Sequence, residues 1–238
     1  MDDFDMLSQY RSPTPARPLL GLTILVVEDS RFASEAIRLM CLRSGARIRR
    51  ADCLASARRH LQVYRPSVMI IDLGLPDGSG ADLIAEMNAL SPRVGVILGM
   101  SGDDGAADDA NAAGADGFLA KPVTNLATFQ EAVLAHLPAD RQPLGPRSLN
   151  DEVIRPDAVS YHDDLAHAAE LLVDEPETEV LSYLAQFVGG VARSAGDAPL
   201  AEAASLLAEA TGSSRALRSE AAQLAGLVQE RLSDKLAI

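Results

Sequence analysis

Glu28 and Asp29, then Asp72, Ser101 and Lys121, are the residues of this chain whose types could do chemistry together. Each follows a short apolar run: Leu22–Val27, Val68–Ile71, Val94–Leu98 and Phe118–Leu119. Strands of an open parallel sheet share one rim at their carboxyl ends, and sites form on that rim. The runs therefore predict that three carboxylates, a hydroxyl and an ammonium converge. Such a set can hold a divalent cation and a phosphoryl group.

An aspartate can act as a nucleophile and carry an acyl phosphate. Its own charge repels an anionic donor, so a hard cation must lie between them. Magnesium takes oxygen ligands, keeps waters, and suits one or two carboxylates plus phosphate oxygens. Asp29 and Asp72 are the expected ligands, with Glu28 holding a metal-bound water and the backbone carbonyl of Gly74 completing the shell. Lys121 would neutralise a phosphoryl oxygen as a point charge. Ser101 would donate a hydrogen bond to another.

The elements that must position these groups are legible as an alternation. Five short strands, read as apolar, alternate with helical stretches at 30–44, 53–64, 80–90, 104–114 and 124–137. That order predicts an α/β fold with a parallel sheet covered on both faces. The segment Asp72-Leu-Gly-Leu-Pro-Asp-Gly-Ser-Gly has the glycine and proline density of a tight loop at an active rim. Gly114 stands where a helix should end before the next strand.

The stretches ILVVEDS (24–30), IIDLGLPDGSG (70–80), LGMSG (98–102) and GFLAKPV (117–123) resemble the receiver domain of bacterial two-component response regulators. The resemblance covers roughly residues 20–138, about half of the chain. It implies a flavodoxin-like, doubly wound, five-stranded parallel sheet that carries Mg2+. It also implies phosphorylation of Asp72 by a sensor histidine kinase or a histidine phosphotransfer protein. Lys121-Pro122 matches the family's Lys-Pro, whose peptide bond is commonly cis. Phe118 falls at the family's aromatic switch position, where rotation accompanies movement of Ser101. On its own, Phe118 reads equally as a core ring on an edge strand.

Composition bounds the rest. A length of 238 residues suits one large or two small domains. The net charge of -13 opposes nonspecific binding to nucleic acid or anionic membrane. No uncharged apolar stretch reaches the roughly 18 residues that a membrane span requires. The start, MDDFDMLSQY, is acidic where a signal peptide would be basic, so a cytoplasmic location is expected. Residues 1–20, with Pro13, Pro15 and Pro18, read as a flexible arm, and 21–138 as the receiver domain. Cys41 and Cys53 imply neither a metal site nor a disulfide framework. His60, His136, His162 and His167 form no ligand motif.

Residues 139–156 read as a linker, within a stretch (138–157) that holds four prolines. From Asp157 onward, 14 acidic residues face 5 basic ones, whereas a DNA-reading module should show a basic face. Four helices are expected over 157–238. They run from about Ala158 to Val173, Glu177 to Ala195, Pro199 to Ala210 and Ser213 to Leu236. In the second, Val180, Leu181, Leu184, Phe187, Val188 and Val191 form one stripe. In the fourth, Leu217, Ala221, Leu224 and Val228 form a seam. The set predicts a helical bundle or a dimeric helical module.

The stretch Gln186–Gly196 resembles the central helix of a histidine phosphotransfer domain. Gln186 stands where that family's His belongs, and Gly189 replaces its Lys, while Gly190 and Gly196 match small positions. Glutamine cannot carry the phosphoryl group, so relay through this helix is excluded. The plainer reading is that Gly189-Gly190 kinks or ends a helix.

Three functions follow from these features. A regulator phosphorylated on Asp72 would signal through protein–protein contact or a homodimer made by its helical half, without DNA. A transcriptional regulator would bind DNA directly through a cryptic helical module, with only scattered Arg193, Arg215 and Arg218 to do so. An adaptor or phosphate sink would dock a kinase or relay receiver on the degenerate helix. Motifs of an enzymatic output are absent, and the chain is not expected to be an enzyme.

Overall fold

The computed structural model describes residues 12–103, 105–146, 150–172, 176–210 and 214–234. They form two compact units. The first comprises the described residues up to Asp29 together with Ala36–Arg155, and the second comprises Ser30–Glu35 and the described residues from Pro156 onward.

The first unit is an α/β sandwich. Its strands and helices are β1 (Thr23–Val27), α1 (Arg31–Ser44, of which the residues up to Glu35 belong to the second unit), β2 (Arg47–Ala51), α2 (Leu54–Val63), β3 (Val68–Asp72), the short β4 (Gly74–Leu75) and β5 (Gly78–Ser79), α3 (Gly80–Asn88), β6 (Val96–Ser101), α4 (Ala106–Ala113), β7 (Gly117–Ala120) and α5 (Leu126–Leu134). Five strands form one sheet in the order β2-β1-β3-β6-β7, all parallel, while β4 and β5 pair separately as an antiparallel ribbon. This is the flavodoxin-like doubly wound architecture.

Central strands in such a sheet are buried on both faces and read as continuous apolar runs. β3 and β6 are buried along their whole length. Because side chains alternate along a strand, each strand feeds two cores. Ile24, Val26, Ile70 and Leu98 pack with Ile37 and Met40 of α1 and Phe129 and Val133 of α5. Leu25, Val27, Met69, Ile71 and Ile97 pack with Leu54 of α2, Leu83 and Ile84 of α3 and Ala110 of α4.

Two expectations need correction here. The strands are not all apolar: β2 reads Arg-Ile-Arg-Arg-Ala, with only Ala51 buried, because an edge strand has a single neighbour and needs little apolar surface. The segments flanking the receiver are also more ordered than their proline content suggests. Leu19 is fully buried and its N–H donates to Ser44, while Thr14 and Arg17 form a bridge. At the other end, Ile154 enters the same core, and Val153 bridges to Asn125. One aliphatic side chain from each flanking segment, Leu19 and Ile154, thus joins the core. Residues 1–11 and 147–149 lie outside the described residues.

The second unit contains α6 (Ala158–Leu171), α7 (Thr178–Ala195), α8 (Ala198–Glu209) and α9 (Ser214–Ser233). The expected ends at Val173, Ser213 and Leu236 fall outside the described residues, as does Asp104 ahead of α4. The α7 stripe is the spine of the core: Leu181, Leu184, Val188 and Val191 meet Leu165 of α6, Leu200 and Leu207 of α8, and Leu224 and Val228 of α9. Asp197 caps α8 through Leu200 N–H (3.2 Å), accepts from Tyr161 (2.9 Å) and pairs with Arg231 (2.8 Å). Within this unit the buried Asp164 also accepts from Ser30 Oγ (2.7 Å) and from the N–H groups of Arg31 (2.8 Å) and Phe32 (3.0 Å). No described helix is long and apolar enough to cross a membrane.

Candidate functional site

Three strand ends deliver the acidic groups and the lysine. Glu28 and Asp29 follow β1, Asp72 is the last residue of β3, and Lys121 follows β7. Parallel pairing of β1 with β3, of β3 with β6 and of β6 with β7 brings these ends to one rim. One oxygen from each of Glu28, Asp29 and Asp72 lies within 4.8 Å of the others, the one such cluster of potential metal ligands among the described residues. Lys121 Nζ sits 2.7 Å from Glu28 Oε2 and 3.0 Å from Asp72 Oδ2. The Lys121-Pro122 peptide bond is cis.

Burial sets the electrostatics. The Glu28 side chain is fully buried, and that burial, aided by the Asp29 charge, pushes its carboxyl up from 4.5 to about 7 against the pull of Lys121. Asp72 is pushed up from 3.8 to about 7 by burial and by Glu28, while Lys121 and the Gly74 N–H work the other way. For Lys121, burial disfavours the ammonium, but Glu28 and Asp72 outweigh it and hold the pKa above its ordinary value. Once ionised, three carboxylates against one ammonium leave an unbalanced negative charge at a site where Glu28, Asp72 and Lys121 are largely buried. A divalent cation with hard oxygen preference is the group that balances it, so the donor set fits Mg2+.

The remaining expected residues fall around this centre. Ser101, buried at the end of β6, accepts from Asp103 N–H (3.2 Å), and its carbonyl accepts from Lys121 N–H (2.8 Å). Phe118 is half-buried on the edge strand β7, against the α3–α4 side of the sheet. Gly74 lies in β4, and its N–H donates to Asp72.

Two neighbours escape a reading by residue type. Gly80, the first residue of α3, lies so close to the Asp72 carbonyl oxygen that a Cβ would overlap it. Asp77 caps α2 by accepting from Leu54 (2.8 Å) and Ala55 (2.9 Å), which ties the loop after Asp72 to its neighbour. The Pro76-Asp77-Gly78 turn sequence is the one signal that could have marked it.

Gln186 and Gly190 do not join this centre; both lie on α7 in the second unit. Gln186 is exposed. The two glycines differ: a Cβ at Gly189 would meet Arg193 (3.2 Å) and Ala204 (3.5 Å), whereas one at Gly190 would meet nothing within 4 Å. Gly189-Gly190 neither ends nor interrupts α7, which runs on to Ala195. Gly196 terminates it in the left-handed conformation (φ 77°), as a C-terminal glycine does.

Residues 24–133 match the response regulator receiver domain family. The KDP operon transcriptional regulatory protein KdpE of Escherichia coli is 30% identical over 99 residues, 42% of this chain and 44% of KdpE. The virulence transcriptional regulatory protein PhoP of Salmonella typhimurium is 26% identical over 156 residues, 59% of this chain and 69% of PhoP. The receiver domain of sensor histidine kinase PA1611 from Pseudomonas aeruginosa, crystallised with a magnesium ion in its active site cleft, is 26% identical with a TM-score of 0.45. That match covers 49% of this chain and 97% of that one. The chain thus spans less than half the length of the KdpE relatives it matches. Residues 24–133 of this chain are a response regulator receiver domain.

Proposed function

We propose that Asp72 is the phosphoacceptor of a two-component regulator and that its donor is a sensor histidine kinase or a histidine phosphotransfer protein. The observation that carries this reading is the Lys121 ammonium shared between Glu28 and Asp72, with Asp29 completing the acidic cluster. In the proposed step an Asp72 oxygen attacks the phosphorus of a phosphohistidine. The P–N bond breaks, its electron pair stays on the imidazole nitrogen, and that nitrogen takes a proton. The product is an aspartyl acyl phosphate. Asp29, Asp72 and the Gly74 carbonyl would hold Mg2+, with Glu28 on a metal-bound water; the cation supplies the charge neutralisation that lets two anions meet. Lys121 holds one phosphoryl oxygen and Ser101 donates to another. Phe118 reports the change by rotating as Ser101 moves.

The working division is a receiver over 21–138, with Leu19 before it and Ile154 after it packed into its core, and an output module over 157–238. The output acts through protein–protein contact or dimerisation. Its excess of acidic residues, 14 against 5, supports that choice over DNA. The second reading, direct DNA binding, is favoured by the transcriptional regulators among the relatives. Two assays test the pair of statements. Wild-type protein should take label from acetyl phosphate with Mg2+ and Asp72→Asn should not; equal labelling would sink the site. Retention on duplex DNA that weakens steeply with salt would replace the protein-contact output with the DNA-binding one.

A further inference from the structure

A second charged site lies on the opposite edge of the receiver sheet from Lys121. Arg47 and Arg49 stand two apart on the edge strand β2, so they project to one face. Ser56, Arg59, His60 and Val63 recur at helical spacing on α2, so they share one face of that helix. The two faces line an open cavity of about 590 Å3, which Tyr64 and Thr23 also border. Its size falls within the range of roughly 300–1,000 Å3 typical of small-molecule sites. The whole cavity belongs to the first unit.

The charges in it are uncompensated. Arg43, Arg58, Arg93 and Arg231 each hold a carboxylate. Among the described residues Arg47, Arg49 and Arg59 hold none, in a chain with 34 acidic and only 21 basic residues. Arg49 reaches only the carbonyl of Ile48 (3.4 Å). His60 is oriented rather than free: its Nε2 meets the Arg50 carbonyl (3.1 Å), and its ring packs edge-on against Tyr64 (5.8 Å). The Tyr64 hydroxyl is itself buried without a hydrogen-bond partner among the described residues. Three guanidiniums facing one cavity repel one another, and a concave wall focuses their field. Planar guanidinium forks match tetrahedral oxyanions in geometry as well as in charge.

We propose that this cavity binds a small phosphate-bearing anion with two or more negative charges, held by Arg47, Arg49 and Arg59. The Tyr64 ring and the Val63 side chain offer a wall for an organic body, so a nucleoside polyphosphate and free pyrophosphate are the two sources of that chemistry. The site is separate from the Asp72 centre, and its occupancy needs no phosphorylation.

Calorimetric titration of the full chain in EDTA tests the proposal, with pyrophosphate, ATP and adenosine as probes. Saturable binding of pyrophosphate or ATP is expected, tenfold or more weaker in Arg49→Gln and in Arg59→Gln. Equal affinities for the two anions would identify the phosphate alone as the ligand; tighter ATP would add the base and ribose. Arg59→Lys, which keeps the charge but loses the fork, is expected between wild type and Arg59→Gln. Arg59 is exposed on a helix surface, so its variants should keep the wild-type thermal midpoint. Absence of saturation by either anion, binding of adenosine equal to ATP, or affinities unchanged in both glutamine variants would overturn the proposal.

Discussion

Metal-free protein should lose stability in its first unit as the pH rises, and Mg2+ should restore it. The perturbation is pH itself. Folded Glu28 and Asp72 titrate near 7 against ordinary values of 4.5 and 3.8. Between about pH 4 and pH 7 the folded state therefore keeps protons that the unfolded chain has released, and the unfolding free energy falls with rising pH. The rise at Glu28 from 4.5 to about 7 corresponds to about 3 kcal/mol for a side chain with no solvent exposure. Part of the Asp72 rise comes from Glu28, so the two contributions overlap and the expected loss is on the order of 3 kcal/mol rather than twice that. Lys121 does not offset it, because a lysine with a raised pKa stays charged throughout this window. Mg2+ at a hundredfold excess over its Kd would return about 2.7 kcal/mol, and more of this is realised at high pH, where protons no longer compete. The chain has no tryptophan, so urea unfolding is followed by far-UV circular dichroism. Hydrogen exchange of the β1 and β3 amides isolates the first unit. Glu28→Gln should reduce the pH slope, since it removes one buried carboxyl and part of the push on Asp72, and Asp72→Asn should abolish the Mg2+ effect. A metal-free stability that is flat or rising across the window, or a Mg2+ effect that survives Asp72→Asn, would refute the electrostatic account.

Gly80→Ala should destabilise the first unit by about 3 kcal/mol or more, since its Cβ meets backbone rather than a movable side chain, and it should depress labelling of Asp72. The two α7 glycines should separate by stability. Gly190→Ala is expected to stabilise by up to about 1 kcal/mol through helix propensity. Gly189→Leu should destabilise by about 1–3 kcal/mol, because the side chain must displace Arg193 and Ala204; thermal unfolding of both variants checks this. Asp197→Ala removes a cap and the partners of Tyr161 and Arg231 together, and urea unfolding should show a loss of roughly 1–3 kcal/mol. The Asp197 carboxyl is held below its ordinary value because Arg231, Tyr161 and the Leu200 N–H outweigh its burial. Its contribution is therefore present above about pH 4 and lost as the pH falls below that.

The acidic centre was legible because its residues sit where apolar runs stop. β1, β3 and β6 are buried on both faces, so their sequences carry an unbroken hydrophobic signal, and Asp72 and Ser101 close β3 and β6. The α7 stripe was legible for the same reason at helical period. Which of Gly189 and Gly190 faces the core was not, because adjacent glycines look alike until α8 supplies Ala204. Leu19 and Ile154 were hidden because one aliphatic residue among prolines and charges has no period.

The same cause hid the arginine cavity and misread β2. A strand at the edge of a parallel sheet is excused from the continuous apolar run, so Arg-Ile-Arg-Arg-Ala can pair with β1 along its whole length while exposing its charges. Period-two alternation places Arg47 and Arg49 together, but the alternation becomes meaningful only once the β1 pairing fixes which face α2 covers. At β3 the core dictates nearly every residue, and what remains for chemistry is the strand end. At β2 the core dictates Ala51 and little else, which leaves positions free for a ligand of this particular chain.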